Sequence, residues 1–224
     1  MKKILELSKS VSKHCVGFEG NVSSKYKNGL IIKASGTRLE SLTKKDLVFF
    51  DFKGNQLNNF KKRGSMELSF HTYLLNFDKI NYISHTHPTN TVKILCSEMG
   101  ELFAGNRLFP DQVIFNGKKS CFIPYAKPGE ELTKLIKDKV TLFIEEEKYF
   151  PKLILLQNHG IICCGETIEE CIMSTDICEK SAEIFIGSHN LGNIHFLTEM
   201  DINNLIVDKN EIYRQNLIKQ NGNK

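Results

Sequence analysis

Two short blocks of this 224-residue chain carry side chains able to grip a cation: Ser84-His85-Thr86-His87-Pro88 and Gln157-Asn158-His159-Gly160. The second block closes the apolar run Leu153-Ile154-Leu155-Leu156. Residues i and i+2 of a strand point the same way, about 6.6–6.8 Å apart along the chain. His85 and His87 can therefore hold one ion from one face. His159, at the end of a second strand, can complete a three-histidine set. Three protein ligands with one position open is the arrangement of a catalytic zinc site, whereas structural sites close all four. His14, His71, His189 and His195 have no comparable setting. His71, on a candidate helix, reads as a packing or surface residue.

An acid or base must accompany such an ion, and Glu67 is the best placed. It follows Lys62-Arg63-Gly64-Ser65-Met66 and opens a candidate helix. A carboxylate in a first helical turn is favoured by the helix dipole, so plain capping is the simpler reading. The functional reading is a fourth, exchangeable zinc ligand that becomes a general base when substrate binds. Gly20-Asn21 and Ala34-Ser35-Gly36 are candidate anion cradles, because tight turns present successive backbone N–H groups. Turns use these residues everywhere, so each is weak alone. Tyr125, in Ile123-Pro124-Tyr125-Ala126-Lys127-Pro128-Gly129, offers a phenol or is an ordinary loop tyrosine.

The elements that position these residues read as strands interleaved with helices, hence an α/β layered domain. A helix is predicted from Ile4 to about Cys15. Val22–Tyr26 and Leu30–Lys33 flank Lys27-Asn28-Gly29, where Asn-Gly signals a hairpin. Leu47–Phe52, Ile80–Thr86 and Leu153–Gln157 read as strands. Met66–Leu75, with Ser65 as N-cap, Thr89–Cys96 and Leu132–Lys139 read as helices. Glu166–Ser188 is a long helix with Ile168, Cys171, Ile172, Thr175, Cys178, Ala182 and Phe185 on one stripe. Arg107–Val113 reads as a loop, residues 98–110 are the first place to seek a lid within the chain, and the tail from Asp201 reads as a helix fraying from about residue 214. No repeat or linker divides the chain, so one domain over residues 1–224 is expected.

At 41% hydrophobic and 25% charged the composition is that of an ordinary globular protein. The formal charge of +4 is modest and the lysines are scattered, so no nucleic-acid partner is expected. Seven cysteines, an odd number with no C-x-x-C pair, argue against a disulfide framework or zinc knuckle. Reduced thiols fit a cytoplasmic protein. No apolar run approaches the ~18 residues of a membrane span.

Taken in order, the blocks resemble the class II aldolase/adducin family of zinc-dependent sugar-phosphate lyases. The matching stretches are Gly20-Asn21-Val22-Ser23, Ile32-Lys33-Ala34-Ser35-Gly36-Thr37, Gly64-Ser65-Met66-Glu67, His85-Thr86-His87-Pro88, Pro124-Tyr125-Ala126 with Pro128-Gly129, and Asn158-His159-Gly160. The resemblance implies a three-layer α/β/α fold around a mixed, mostly antiparallel sheet, and a homotetramer with sites between subunits. It implies His85, His87 and His159 as metal ligands, with Glu67 as acid/base and resting ligand. It also implies Asn21, Ser35, Gly36 and Ser65 as phosphate-binding positions and Tyr125 as a donor near the substrate. Tyr213 is the tail's only tyrosine and a weaker candidate. The implied activity is aldol cleavage of a ketose phosphate or related sugar through a metal-stabilised enediolate. Imidazole ligands also suit Mn²⁺, Co²⁺ or Fe²⁺.

One departure stands out. The fuculose-phosphate aldolase pattern has a second serine where this chain has Met66, which cannot donate a hydrogen bond. Sugar (acid) phosphate dehydratases and decarboxylases keep the histidines and stay open as alternatives. Ribulose-phosphate epimerases carry aspartate in place of Glu67, which argues against that activity. An adducin-like binding domain would lack the metal ligands.

Overall fold

The computed structural model describes the backbone of residues 1–222 and the side chains through Ile218. Its seven-stranded sheet has β1 (Asn21–Tyr26), β2 (Gly29–Lys33), β3 (Leu47–Asp51), β4 (Tyr82–Thr86), β5 (Cys121–Ile123), β6 (Leu153–Leu156) and β7 (Gly160–Gly165), in the order β3-β2-β1-β4-β7-β6-β5. Neighbours run antiparallel except β5 and β6, which are parallel. The central strands are buried on both faces, which explains their unbroken apolar runs.

Helices cover both faces. On one side α2 (Leu68–Leu75) and α6 (Glu130–Glu147) lay Phe70, Leu74, Ile136 and Val140 against Ile83, Ile154 and Ile162. On the other, α1 (Lys2–Val11) and the start of α7 (Ile168–Leu191) enclose Val22 and Ile31 with Ile4, Leu7 and Cys171. Further along, α7 joins α3 (Thr89–Leu95) and α4 (Gly100–Gly105), so that Cys178, Phe185, Ile94 and Phe103 cover Leu155 and Ile161. The expected three-layer α/β/α arrangement and mixed sheet are therefore observed.

Several local expectations are corrected. Arg107–Val113 is only partly a loop, because α5 (Pro110–Asn116) starts within it, and the stretch 98–110 before it holds α4. Arg107 between them is fully buried, donating to the carbonyls of Gly117, Ala104 and Asn106 and to Ser120 Oγ. The tail forms α8 (Glu199–Val207) and α9 (Lys209–Gly222). The fraying expected from about residue 214 falls partly outside the described residues.

The β1–β2 hairpin forms where predicted, but for a different reason. Tyr26 pairs with Gly29, so the loop is Lys27-Asn28, and Lys27 carries the positive φ of 50°. Gly29 answers a need for space: a Cβ there would lie 2.0 Å from the Phe50 carbonyl oxygen. Gly29→Ala should force β2 and β3 apart and cost about 1–3 kcal/mol, the usual scale of overpacking. Urea unfolding reads this directly, and an unchanged midpoint would contradict the β2–β3 register.

Candidate metal centre

The sheet register assembles the centre. His85 lies on β4 between Asn21 of β1 and Ile162 of β7. Its Nδ1 sits 2.9 Å from the Ile161 carbonyl. A carbonyl only accepts, so Nδ1 carries the proton and Nε2 presents a lone pair. His87 lies just past the end of β4, not on it. Pro88 follows it, and proline disfavours helical backbone in the residue before it. Its backbone N–H donates to the His14 carbonyl at 3.2 Å, and its Nδ1 faces Glu19 Oε2 at 3.7 Å. His159 sits in the Gln157-Asn158-His159 loop between β6 and β7. The loop closes because Asn158 takes a left-handed φ of 55°, which asparagine tolerates. Gly160 follows where a Cβ would strike the His87 ring at 2.5 Å.

The three rings converge, with candidate ligand atoms all within 4.8 Å of one another. His85 Nε2 and His87 Nε2 are 3.1 Å apart. Two ligands at zinc distances with a tetrahedral angle would be about 3.3–3.4 Å apart. Glu67 closes the group, with Oε2 3.3 Å from His85 Nε2 and Oε1 3.6 Å from His159 Nε2. Burial pushes His85 down to about 4, and moves His87 and His159 in the same direction. Neutral rings facing each other and a carboxylate are an acceptor-rich set that suits a divalent cation.

Glu67 is aimed by its neighbours. Asn21 Nδ2 donates to Oε2 at 2.7 Å and to Ser65 Oγ at 3.2 Å. Ser65 is not the N-cap expected: α2 starts at Leu68, Glu67 holds the cap position, and Ser65 Oγ instead accepts the Glu67 N–H at 3.3 Å. His71 is a packing residue as read. It is fully buried, with Nδ1 2.6 Å from Ser23 Oγ and its ring stacked on Phe70.

The rings open into a cleft of about 230 Å³ lined also by Phe18, Gly20, Asn21, Lys33, Ser35, Gly36, Ser65, Met66 and Pro128. A wider hollow of about 580 Å³ beside Leu108 and Leu191 has, among the described residues, one ionisable side chain in its lining, His195, so chemistry and not volume selects the site. Ala34 bridges to Gly64 and the Ser35 N–H donates to the Arg63 carbonyl at 2.9 Å, bringing the Ala34-Ser35-Gly36 turn beside Ser65. Met66 does not fill the cleft; it is 80% exposed at the mouth.

Sequence reading missed Lys33, which ends β2. It is 3% exposed, and its Nζ donates to the Phe18 carbonyl at 3.2 Å. Burial lowers its pKa, against the pull of Cys15 and Glu67. Its position inside the Ile32-Lys33-Ala34-Ser35 block was the available signal. Two expected residues are not brought in. Tyr125 is 61% exposed and does not line the cleft of its own chain. Tyr213 is 64% exposed on α9, which rests on α7 and α8, and is also absent from the lining.

A family model described as Class II Aldolase and Adducin N-terminal domain matches residues 4–186. An L-fuculose phosphate aldolase from Methanococcus maripaludis strain C5 is 31% identical over 182 residues, covering 80% of this chain and 91% of the relative. The L-fuculose phosphate aldolase of Escherichia coli K12 is 29% identical over 176 residues, covering 76% and 74%. Among solved structures, YgbL from Escherichia coli superposes with a TM-score of 0.77 at 23% identity, over 91% of this chain and 96% of that one. An L-fuculose 1-phosphate aldolase superposes with a TM-score of 0.74 at 20% identity, over 91% and 92%.

The wall that carries Arg63 and Ser65 is anchored by Asp46, which accepts from Lys62 Nζ and from Thr43. Lys62 first, then Thr43, hold its carboxyl down at about 2 against an ordinary 3.8. A depressed carboxyl stabilises the fold above its unfolded pKa, and that contribution is lost as pH falls through the folded one. Asp46→Asn should be less stable than wild type at neutral pH, by about 1 kcal/mol after allowing for solvent at half-exposed Lys62. The gap should close between about pH 4 and pH 2 in urea titrations. A gap undiminished at the acid end contradicts this anchoring.

Proposed function

The chain belongs to the class II aldolase and adducin family, and on that premise we propose that it is a zinc-dependent aldolase acting on a ketose phosphate. The observation that supports this most is the meeting of three neutral imidazoles and Glu67 in a cleft that also holds a buried lysine. In this reading residues 1–224 act as one domain, and His85, His87 and His159 hold the ion, with Glu67 as a displaceable fourth ligand. The bound ion supplies Lewis acidity at the carbonyl and neighbouring hydroxyl oxygens of the substrate.

The chain's own residues do the rest. The Lys33 ammonium, the Ser35 and Ser65 hydroxyls and the Gly36 N–H suit a phosphate dianion, with Lys33 supplying charge where Met66 supplies no donor. Asn21 keeps Glu67 turned toward the reacting carbon. As the C3–C4 bond breaks, the C4 hydroxyl passes its proton to the Glu67 carboxylate and C4 becomes an aldehyde. The electron pair of the broken bond remains on the three-carbon fragment, and Glu67 returns the proton to C3. The products are dihydroxyacetone phosphate and an aldehyde.

A cleft this open must be closed to exclude water. Phe18, 60% exposed, and Met66, 80% exposed, put apolar surface at the mouth. We assign its cover to a neighbouring copy in a homotetramer, which is also how Tyr125 would reach a substrate.

Three measurements test the proposal. Ketose 1-phosphates and sugar-acid phosphates should be screened with products read by mass spectrometry. Aldehyde plus triose phosphate is expected, whereas loss of water or carbon dioxide would assign a dehydratase or decarboxylase. Glu67→Gln should fold normally and lose roughly 10²–10⁴-fold in turnover, the usual scale of acid–base catalysis; wild-type turnover would reduce Glu67 to a cap. Light scattering should separately give a tetramer, and a fully active monomer would refute the shared site.

A further inference from the structure

The three histidines are not held equally. His85 is fixed by β-ladders on both sides. His87 and His159 lie in loops beyond strand ends, and one short helix links them. α3 begins two residues after His87, and the carbonyl of its last residue, Leu95, accepts the Asn158 N–H at 3.1 Å, beside His159. Seven residues of helix make a rigid spacer of about 10 Å. Its placement fixes how far apart the two loops stand.

α3 cannot fix its own start. Its N-cap is Pro88, which has no side-chain acceptor for the free N–H groups of the first turn. The acceptor comes from α7. Glu179 Oε1 takes the Asn90 N–H at 2.9 Å, and Oε2 takes the Thr91 N–H and the Thr91 hydroxyl, both at 2.9 Å. Thr91 is fully buried. One turn earlier on α7, Asp176 holds the His14 ring at 2.7 Å, and the His14 carbonyl takes the His87 N–H. α7 thus grips His87 from both sides, through α3 and through His14.

We propose that Glu179 is a positioning residue for the histidine cluster, clamping α3 so that His87 and His159 stand at a common spacing. This rests on the metal-site reading above. A carboxylate is the group the clamp needs, since both oxygens accept and its charge favours a helix N-terminus. A glutamine offers one accepting oxygen and turns an N–H toward another N–H.

The test uses the full chain, stripped of metal and titrated with Co²⁺ alone. Visible absorption reports ligand geometry, and thermal unfolding of the metal-free protein reports stability. Glu179→Gln should weaken Co²⁺ binding about tenfold, the lower end for groups that support metal ligands indirectly, and change the band shape. Glu179→Asp should recover part of the affinity. Thr91→Val, which removes one clamp bond at nearly constant volume, should shift affinity the same way by less. Wild-type affinity and spectrum in Glu179→Gln, with only a lowered Tm, would make Glu179 a simple cap and overturn the proposal. If Glu179→Gln does not fold, wild-type binding by Thr91→Val overturns it equally. Failure of the metal site itself is distinguishable: wild type and His159→Ala would then bind Co²⁺ alike or not at all.

Discussion

Four acceptor groups aimed at one point are the constraint on which this structure turns. Three neutral imidazoles and the Glu67 carboxylate face each other at 3.1–3.6 Å with few donors between them. With Nε2 unprotonated on each ring, as a bound cation requires, lone pairs at that distance repel, and burial limits the water that would screen them. Only a rigid frame can hold such a set ready for a cation. The sheet supplies that frame at its centre, where β1, β4 and β7 are each paired on both sides.

The frame also explains how a weakly patterned sequence brings distant residues together. Asn21 reaches Glu67 because its partner across the ladder is His85. Lys33 reaches the same cleft because β2 lies beside β1 and ends at the same edge. Glu67 and Ser65 follow because Gly64 bridges to Ala34. The histidine loops, lying outside the ladders, need the extra support of α3 and α7. Chemistry sits where the strands stop, and rigidity is borrowed from where they do not.

How much of this was legible in the sequence depended on the range of each interaction. The His85–His87 pair was readable because strand periodicity acts over two residues. A layered α/β domain was readable because buried strands and an apolar helix stripe are local patterns, whereas the three-layer arrangement around a mixed sheet was implied by the resemblance. Short elements with no such pattern, β5 among them, were not. The start of α2 was misread because Ser65 looks like a cap, yet its hydroxyl is engaged by Asn21, 44 residues away. Lys33 escaped notice because a lysine at a strand end usually reaches solvent, and only the tertiary fold buries it. Tyr125 was legible only as a loop phenol until the resemblance implied a role for it, Tyr213 came from the resemblance, and neither enters the cleft of its own chain.

Anomalous diffraction at the zinc edge, from crystals soaked in zinc, tests the central claim most directly. A single peak per chain about 2.0–2.1 Å from one ring nitrogen each of His85, His87 and His159 is predicted. The peak should vanish in His159→Ala while the rings of His85 and His87 stay in place. No peak at the three rings, or one held by other residues with these rings turned away, would contradict a three-histidine centre.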